Sequence, residues 1–545
     1  MRYVADAVQM KEIDRRTSEE IGIPPIVLME KAAEQIAQCA LEMLGGQENA
    51  VGKRVLAVYG AGGNGGDAVA AARLLHLRGL SVQLLAADGK APGGLTKMEL
   101  AIAKKCGVPE CGKTGNDMDF SAYDMILDGI FGIGLSRKVD GAYQALIERI
   151  NASETKVLAI DIPSGIHAGT GECFRVAVKA HCTVTFGEYK IGHFLYPGAL
   201  YCGKTVLADA GFVPALNRQV LAAGEYQYTT YEKSDALALL APRVARSHKG
   251  SYGKVLVYAG SGSVTGAAYL AAKAAYRCGV GLVKLVSEKG CLDIVRQMLP
   301  EALYEEIPQM DEGAFWEKQV LWADAVLAGP GIGVGEDAAR ALAKLLQALQ
   351  GTGKPLVLDA DALNLLAGVC NGGGSPALRL LALSHHLPEN TILTPHPKEL
   401  SRLTGLMVKE ITEHLVDTAK KCVYNNKLIY VLKDAHTIVA CGREIYINRS
   451  GCDGMATGGS GDVLAGMIAG LCVAKEPFEA AKAGVFLHGL AGERAQESCG
   501  CRGMLAGDIL DGMLLAENTL DNSGAQFGGR ESGVHRKQRK EGGIW

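Results

Sequence analysis

The sequence predicts an α/β protein of two units, each a parallel sheet with helices on its faces. Short apolar runs of strand length recur along the chain and end on aspartate or glycine. Longer helical stretches lie between them, the alternation that builds parallel sheets. Glycine supplies 70 of 545 residues, nearly twice the usual ~7%, which suits close approach of backbone to ligand. One core sustains about 250–300 residues, so two units are expected. They are residues 1–217 and 235–520, joined by a linker over 218–234 and followed by a flexible polar tail, 521–545.

In the first unit Val55–Tyr59 reads as a buried strand running into Gly60-Ala61-Gly62-Gly63-Asn64-Gly65-Gly66-Asp67, with a helix expected over Ala68–Leu77. Strand, glycine turn and helix together present backbone N–H groups to an anion. The segment satisfies G-x-G-x-x-G, a weak signal alone, and Asp67 opposes it because a carboxylate at a helix start repels phosphate. Further strands are expected at Val82–Ala86, at Met125–Leu127 before Asp128, and at Val157–Ile160 before Asp161. The last two end in polar clusters, Asp128–Leu135 and Asp161–Gly171. Asn64, Asp128 and Ser164 together offer the hard oxygen ligands that suit a small cation.

The second unit carries more such clusters. His248-Lys249-Gly250-Ser251-Tyr252-Gly253-Lys254 precedes the strand Val255–Tyr258, which opens into Gly260–Ala267. Ala328–Gly333, Val357–Asn364, Thr394–Leu400 and Val431–Thr437 follow. The series closes on Thr457-Gly458-Gly459-Ser460-Gly461-Asp462, before a helical run expected over Val463–Ala474. Glycines there let successive N–H groups converge on an anion, and Asp462 at the edge can take a proton from a hydroxyl as a phosphoryl group arrives. That combination belongs to phosphoryl transfer onto an alcohol.

Composition removes other classes. A net charge of −3 gives no electrostatic case for nucleic acid or an anionic membrane. The fifteen cysteines contain no C-x-x-C, so neither a zinc ribbon nor a dithiol redox site is indicated. The amino terminus lacks a signal-like apolar stretch, and Val463–Ala474 is too short for a span of ~20 residues. A cytoplasmic enzyme of small-molecule substrates, assembled as a homo-oligomer, is the expectation.

The glycine loop, the clusters at 128–135 and 161–171, and the opening residues Met10, Asp14, Gly22-Ile23-Pro24 and Leu28-Met29-Glu30 resemble the amino-terminal half of the bifunctional NAD(P)H-hydrate repair enzymes. The motifs from His248 to about Leu515 resemble that family's carboxy-terminal half. The resemblance implies a Rossmann-like epimerase domain and a ribokinase-like, ADP-dependent dehydratase domain. It implies that Asn64, Asp128 and Ser164 hold potassium. It implies that Gly63, Asn64, Gly65, Gly66 and Asp67, with Gly132, Ile133, Gly134, Leu135, Ser136, Arg137 and Lys138, line the epimerase substrate. Asp161, with Lys190 as partner, is the acid/base candidate. In the second half Ala267, Gly331, His396 and Asp462 would contact the hydrated dinucleotide. Lys433, Asp434, Ala435, His436, Thr437 and Gly461 would hold ADP, the phosphoryl donor, assisted by magnesium, and Asp462 would be the base.

The sequence departs from that pattern in places. Gly63 stands for an asparagine and Ala68 for a glycine, and Lys31 and Ala33 replace Asn and Gly in Met-Glu-Asn-Ala-Gly. An amide lost from a buried partner costs ~1–3 kcal/mol. In the second half Lys398 and Asp434 replace glycines. Two other readings stay open: a small-alcohol kinase fused to a Rossmann-like binding domain, and, on the strength of Gly63 and Ala68, a first half that binds without catalysing. His385-His386 reads as a solvated loop, Cys499-Gly500-Cys501 as a loop rather than a metal site, and Arg536–Lys540 as part of the solvated tail.

Overall fold

A computed structural model describes residues 1–88, 91–111, 118–240, 243–308, 313–369, 375–424 and 426–513. The tail with Arg536–Lys540 lies outside the described residues. The strands of the first half are β1 (Arg2–Ala5), β2 (Arg54–Tyr59), β3 (Ser81–Ala86), β4 (Met125–Gly129), β5 (Lys156–Ile160), β6 (Cys182–Phe186), β7 (Tyr189–Lys190) and β8 (Lys204–Ala208). Then come β9 (Gln227–Thr230), β10 (Lys254–Tyr258), β11 (Leu282–Ser287), β12 (Leu303–Glu306), β13 (Ala325–Ala328) and β14 (Leu356–Leu358). The last are β15 (Thr391–Leu393), β16 (Ile429–Leu432), β17 (Ile438–Cys441) and β18 (Glu444–Ile447).

Two sheets result. The smaller is parallel throughout, in the order β3-β2-β4-β5-β6-β8. The larger runs β12-β11-β10-β13-β14-β15-β16-β17-β18-β9-β1-β7 and is parallel from β12 to β16. In each, strand order reverses beside the first parallel strand, between β2 and β4 and between β10 and β13. Ligands of open α/β sheets bind at such switch points, outside the carboxyl ends of the strands. The loops at those ends are Gly60–Gly62, Ile130–Leu135, Gly260–Val264 and Gly329–Gly333.

Both expected helices after the glycine turns begin early. The first runs Gly63–Leu77 and the second Ser460–Leu471, capped by Gly62 and Gly459. The glycines read as loop form the first turns, so the anion-facing N–H groups are helix ends. Gly459 has φ +91°, a left-handed conformation that favours glycine, and a Cβ there would sit 2.5 Å from Leu270 Cδ1.

The segment 218–234 is not a free linker. It holds the end of the helix Pro214–Ala223 and β9, which pairs with β18 on one side and β1 on the other. β1 pairs in turn with β7. The chain's first strand and the Lys190 strand thus extend the second half's sheet, because Val4, Tyr189, Phe194 and Tyr228 pack with Tyr430, Ile438 and Ile445 in one core. Arg449 covers the join, its guanidinium 4.8 Å from the Tyr189 ring and 4.3 Å from that of Phe194. His385 and His386 end the helix Pro376–His386 rather than lying in a loop; both are exposed. Cys499 likewise ends a helix, Pro477–Cys499, with Gly500 as its cap. Among the described residues no helix is long and apolar enough to cross a membrane.

A shared sheet and core make the halves one cooperative unit. Wild-type protein is expected to melt in one calorimetric transition. Tyr228→Ala truncates a buried aromatic at the join, a loss of about 3–5 kcal/mol, and is expected to split the transition in two.

Candidate active sites

The first site is a cavity of about 990 Å³ over the carboxyl ends of β2, β4 and β5. Of the residues expected there, Gly63, Asn64, Asp67, Gly132, Ile133, Gly134, Leu135, Ser136, Arg137, Asp161 and Lys190 line it. Gly65, Gly66 and Lys138 do not. A Cβ on Gly65 would stand 1.9 Å from Gly60 O, and one on Gly66 2.6 Å from Met29 Cε, so these glycines let the helix pack close. Lys138 is exposed beyond the rim.

Asp161 follows β5 with φ +67°. Its Oδ1 accepts from Lys190 Nζ at 2.5 Å and from Thr185 Oγ1 at 3.0 Å. The ammonium also donates to Thr185 Oγ1 and Phe186 O. Lys190 is 1% exposed, so it is a buried ion-pair partner and not a surface lysine. His193 fixes the same corner. Burial and Lys190 push its pKa down to about 4, so the ring is neutral. Its Nδ1 accepts from Lys190 N, which leaves Nε2–H to donate to Asp161 O at 2.8 Å.

Two more carboxyls join this cavity. Asp14 projects from the helix Ala7–Glu19, and burial pushes it up to about 6 against the opposing pull of Lys190. Asp67 is half-buried on the cavity wall and held well above the usual carboxylate range by burial, then by Asp161, Asp14 and Glu99. The surrounding acids and burial thus favour its neutral form over its charged one. Asp14 was visible in the sequence only as part of the opening pattern; its i, i+4 spacing from Met10, which also lines the cavity, is the signal that places it.

Asn64, Asp128 and Ser164 meet at the Phe131 backbone. Ser164 Oγ donates to Asp128 Oδ1 at 2.6 Å and Ser164 N to Asp128 Oδ2 at 2.8 Å. Asn64 Nδ2 donates to Phe131 O at 3.0 Å, and Phe131 N to Ser164 Oγ at 2.8 Å. Asp128 is buried with its pKa raised to about 6 by burial, opposed by the Ser164 and Ile130 donors. Neutral oxygens around one buried carboxylate form a donor set that fits a monovalent cation.

The second site gathers at the ends of β14, β15 and β16. Lys433 Nζ donates to Asp359 Oδ1 at 2.7 Å, and Thr394 Oγ1 to the same oxygen at 2.7 Å. Glu399 Oε2 lies 3.8 Å from the ammonium and accepts from His396 N at 2.8 Å. Gly461 is placed so that a Cβ would stand 3.4 Å from Lys433 Nζ, which brings the Ser460–Leu471 helix start onto this pair. Asp462, in that first turn, is pushed up to about 7, by burial first and then by Asp359, with Lys433 opposing. Glu399 is pushed up to about 7, mainly by burial.

His396 caps the helix Pro397–Thr404, its Nδ1 accepting from Lys398 N at 3.0 Å and its Nε2 3.3 Å from Glu399 Oε1. Gly331 lies against Val264, and Ala267 is buried in the helix Thr265–Arg277. The segment Lys433–Thr437 splits in two directions. Asp434 and Ala435 are exposed, and Thr437 Oγ1 closes the turn on Asp434 O. The His436 ring is turned to Phe194 O and Tyr196 of the first half, away from Lys433. Asp359, Thr394 and Glu399 stood inside the quoted motifs without a role; each ends a strand or opens a helix, the position that singles them out.

Residues 25–192 match the family model described as YjeF-related protein N-terminus, and residues 255–514 that described as NAD(P)H-hydrate dehydratase. A bifunctional NAD(P)H-hydrate repair enzyme of Thermofilum pendens is 36% identical over 537 residues, 95% of this chain and 96% of that one. The Escherichia coli enzyme of the same description is 31% identical over 93% of this chain and 92% of its own. Among solved structures, an ADP/ATP-dependent NAD(P)H-hydrate dehydratase from Bacillus subtilis, crystallised with ATP and Mg2+, is 29% identical over 54% of this chain and 98% of that one, with a TM-score of 0.45. Identity sustained over nearly the full length of the first two relatives means that this chain belongs to the family of bifunctional NAD(P)H-hydrate repair enzymes.

Proposed function

We propose that the two halves act in turn on hydrated NADH and NADPH. The first interconverts the R and S hydrates at C6, and the second dehydrates the S hydrate with ADP, releasing AMP and phosphate. The observation that carries this reading is a carboxyl with a pKa of about 7, Asp462, at a helix N-terminus beside the Lys433–Asp359 pair.

Hydroxide is a poor leaving group. Asp462 takes the proton of the C6 hydroxyl as its oxygen attacks the β-phosphorus of ADP, and the bond to AMP breaks. The N–H groups at the Ser460–Leu471 helix start stabilise charge on the moving phosphoryl group. The ring nitrogen's lone pair then expels phosphate from C6, and loss of a C5 proton restores the 5,6 double bond. Magnesium would be held chiefly by the substrate's phosphates, with Asp359 the nearby carboxylate that is not the base, and would supply charge neutralisation for the moving phosphoryl group. In the first half, Asp161 takes a proton from water adding to C6 while a protonated Asp67 or Asp14 returns one to the departing hydroxyl. Lys190 holds Asp161 in place for this exchange. Potassium, held by Asn64, Asp128 and Ser164, would neutralise the buried Asp128 charge and fix the Phe131 loop.

Asp462→Asn is expected to lower dehydration on the order of 10²–10⁴-fold, read from NADPH regenerated from the S hydrate. A stable phosphorylated product instead would favour the small-alcohol kinase. The wild-type rate should rise with pH through about 7 as Asp462 ionises. Glu399→Gln removes a negative neighbour, so that limb should move to lower pH. Asp161→Asn and Lys190→Met should each stop exchange of the R hydrate in a chromatographic assay while S-hydrate repair continues; unchanged exchange would mark the first half as a binding module. Replacing potassium by a bulky organic cation should lower both epimerisation and Tm in wild type, and neither in Asp128→Asn.

A further inference from the structure

The pattern His248-Lys249-Gly250-Ser251-Tyr252 takes no part in either site. It stands at the opposite end of the large sheet from Asp462. Lys249–Tyr252 precede β10 and Gly281 precedes β11, whereas the catalytic groups follow the far ends of these parallel strands. A five-residue strand separates the two ends by roughly 17 Å.

A cleft of about 640 Å³ opens there, within the size range of small-molecule sites. Four cationic side chains line it, Arg243, Lys249, Lys273 and Arg277, against the single carboxylate of Glu301. Lys273 and Arg277 are one turn apart on the same face of a helix; Lys273 Nζ donates to Tyr269 Oη at 2.8 Å, which uses one of the ammonium's three donors. Among the described residues Arg277 Nε is buried with no hydrogen-bond partner, and the acid within ion-pair distance of its guanidinium, Asp511, is 69% exposed and 4.0 Å from Nη2. Arg243 is committed to the rim: it donates to Gly279 O and stacks 4.5 Å from the Tyr252 ring. The floor is apolar, formed by Val280 and Leu299, with the Tyr276 ring beside them. Gly281 lets the Lys249 carbonyl pack against β11's start: a Cβ there would stand 1.7 Å from it.

A cationic wall over an apolar and aromatic floor recognises an anion that carries a ring. We propose that this cleft is a second nucleotide site, its phosphates taken by Lys249, Lys273 and Arg277 and its base laid on Tyr276, Val280 and Leu299. The site is remote from the chemistry, so its occupancy is separable from turnover.

Equilibrium dialysis of labelled ADP against the full-length protein tests it. Wild type is expected to bind one equivalent more than Lys273→Gln/Arg277→Gln, with the remaining equivalent unchanged in affinity. Inorganic pyrophosphate should displace the extra equivalent and adenosine should not, if phosphate is the recognised group; the reverse order would overturn the assignment. Equal stoichiometry in wild type and double variant also overturns it. Should the double variant fail to fold, Lys249→Gln and Arg277→Gln alone serve, each expected to weaken the extra equivalent on the order of tenfold. No weakening in either sinks the proposal.

Discussion

Each site is organised around a lysine ammonium pressed against an aspartate at the end of a parallel strand: Lys190 with Asp161 and Lys433 with Asp359. Desolvating such a pair costs several kcal/mol per ion, which only good geometry and further hydrogen bonds offset. Both pairs have these. Thr185 Oγ1 and Phe186 O accept from Lys190, and Thr394 Oγ1 donates to Asp359. The remaining carboxyls, Asp14 and Asp67 in one site and Glu399 and Asp462 in the other, take their proton affinities from burial and from these fixed charges. Removing either lysine leaves a buried anion and alters every neighbour.

The two pairs are also mechanically joined. Lys190 lies in β7, the last strand of the sheet whose β16 leads to Lys433. The chain then passes through His193, which holds Asp161 O, to Phe194, whose carbonyl meets His436. His436 follows Lys433 by three residues. The seam therefore fixes the loop of one site against the other, which explains why β1 and β9 leave the first half to pair across it. The smaller sheet supplies the walls of the first cavity, while the larger sheet supplies its lysine.

Much of the chemistry was legible in sequence because strand ends are marked by composition. Asp128, Asp161 and Lys433 each follow an apolar run, and the structure puts each at a strand end. What was not legible depends on contact. Gly65 and Gly66 look like the rest of an anion loop, yet they serve helix packing, which only the positions of Gly60 and Met29 reveal. Asp67 reads as a misplaced charge until burial is known. The 218–234 stretch is polar and short, so nothing local says that β9 will bridge two non-sequential strands, a long-range pairing in which Tyr228 stands opposite Ile445 and buries its ring in the same core. His436 sits in a nucleotide-like loop, but its direction is decided by the other half.

Function here opposes stability, and the sign can be worked out. Asp462 moves from an ordinary 3.8 to about 7, Asp14 from 3.8 to about 6 and Glu399 from 4.5 to about 7. A carboxyl whose pKa is raised on folding binds its proton more tightly in the native state. Its contribution to stability is present in full only below the unfolded value and is lost as pH rises through the folded one. Between about pH 4 and pH 7 the native protein gives up that advantage group by group. In the proposed mechanism Asp462 acts as a base only once ionised, so turnover would run where this advantage is lost. The buried cores on the two faces of the shared sheet, one holding Tyr228 and Tyr430 and the other Tyr446, are what the fold offers against that cost. In the proposed mechanism, weakening the seam in this chain would therefore lower the margin against which Asp462 is ionised, and with it the step that turns hydroxide into a leaving group.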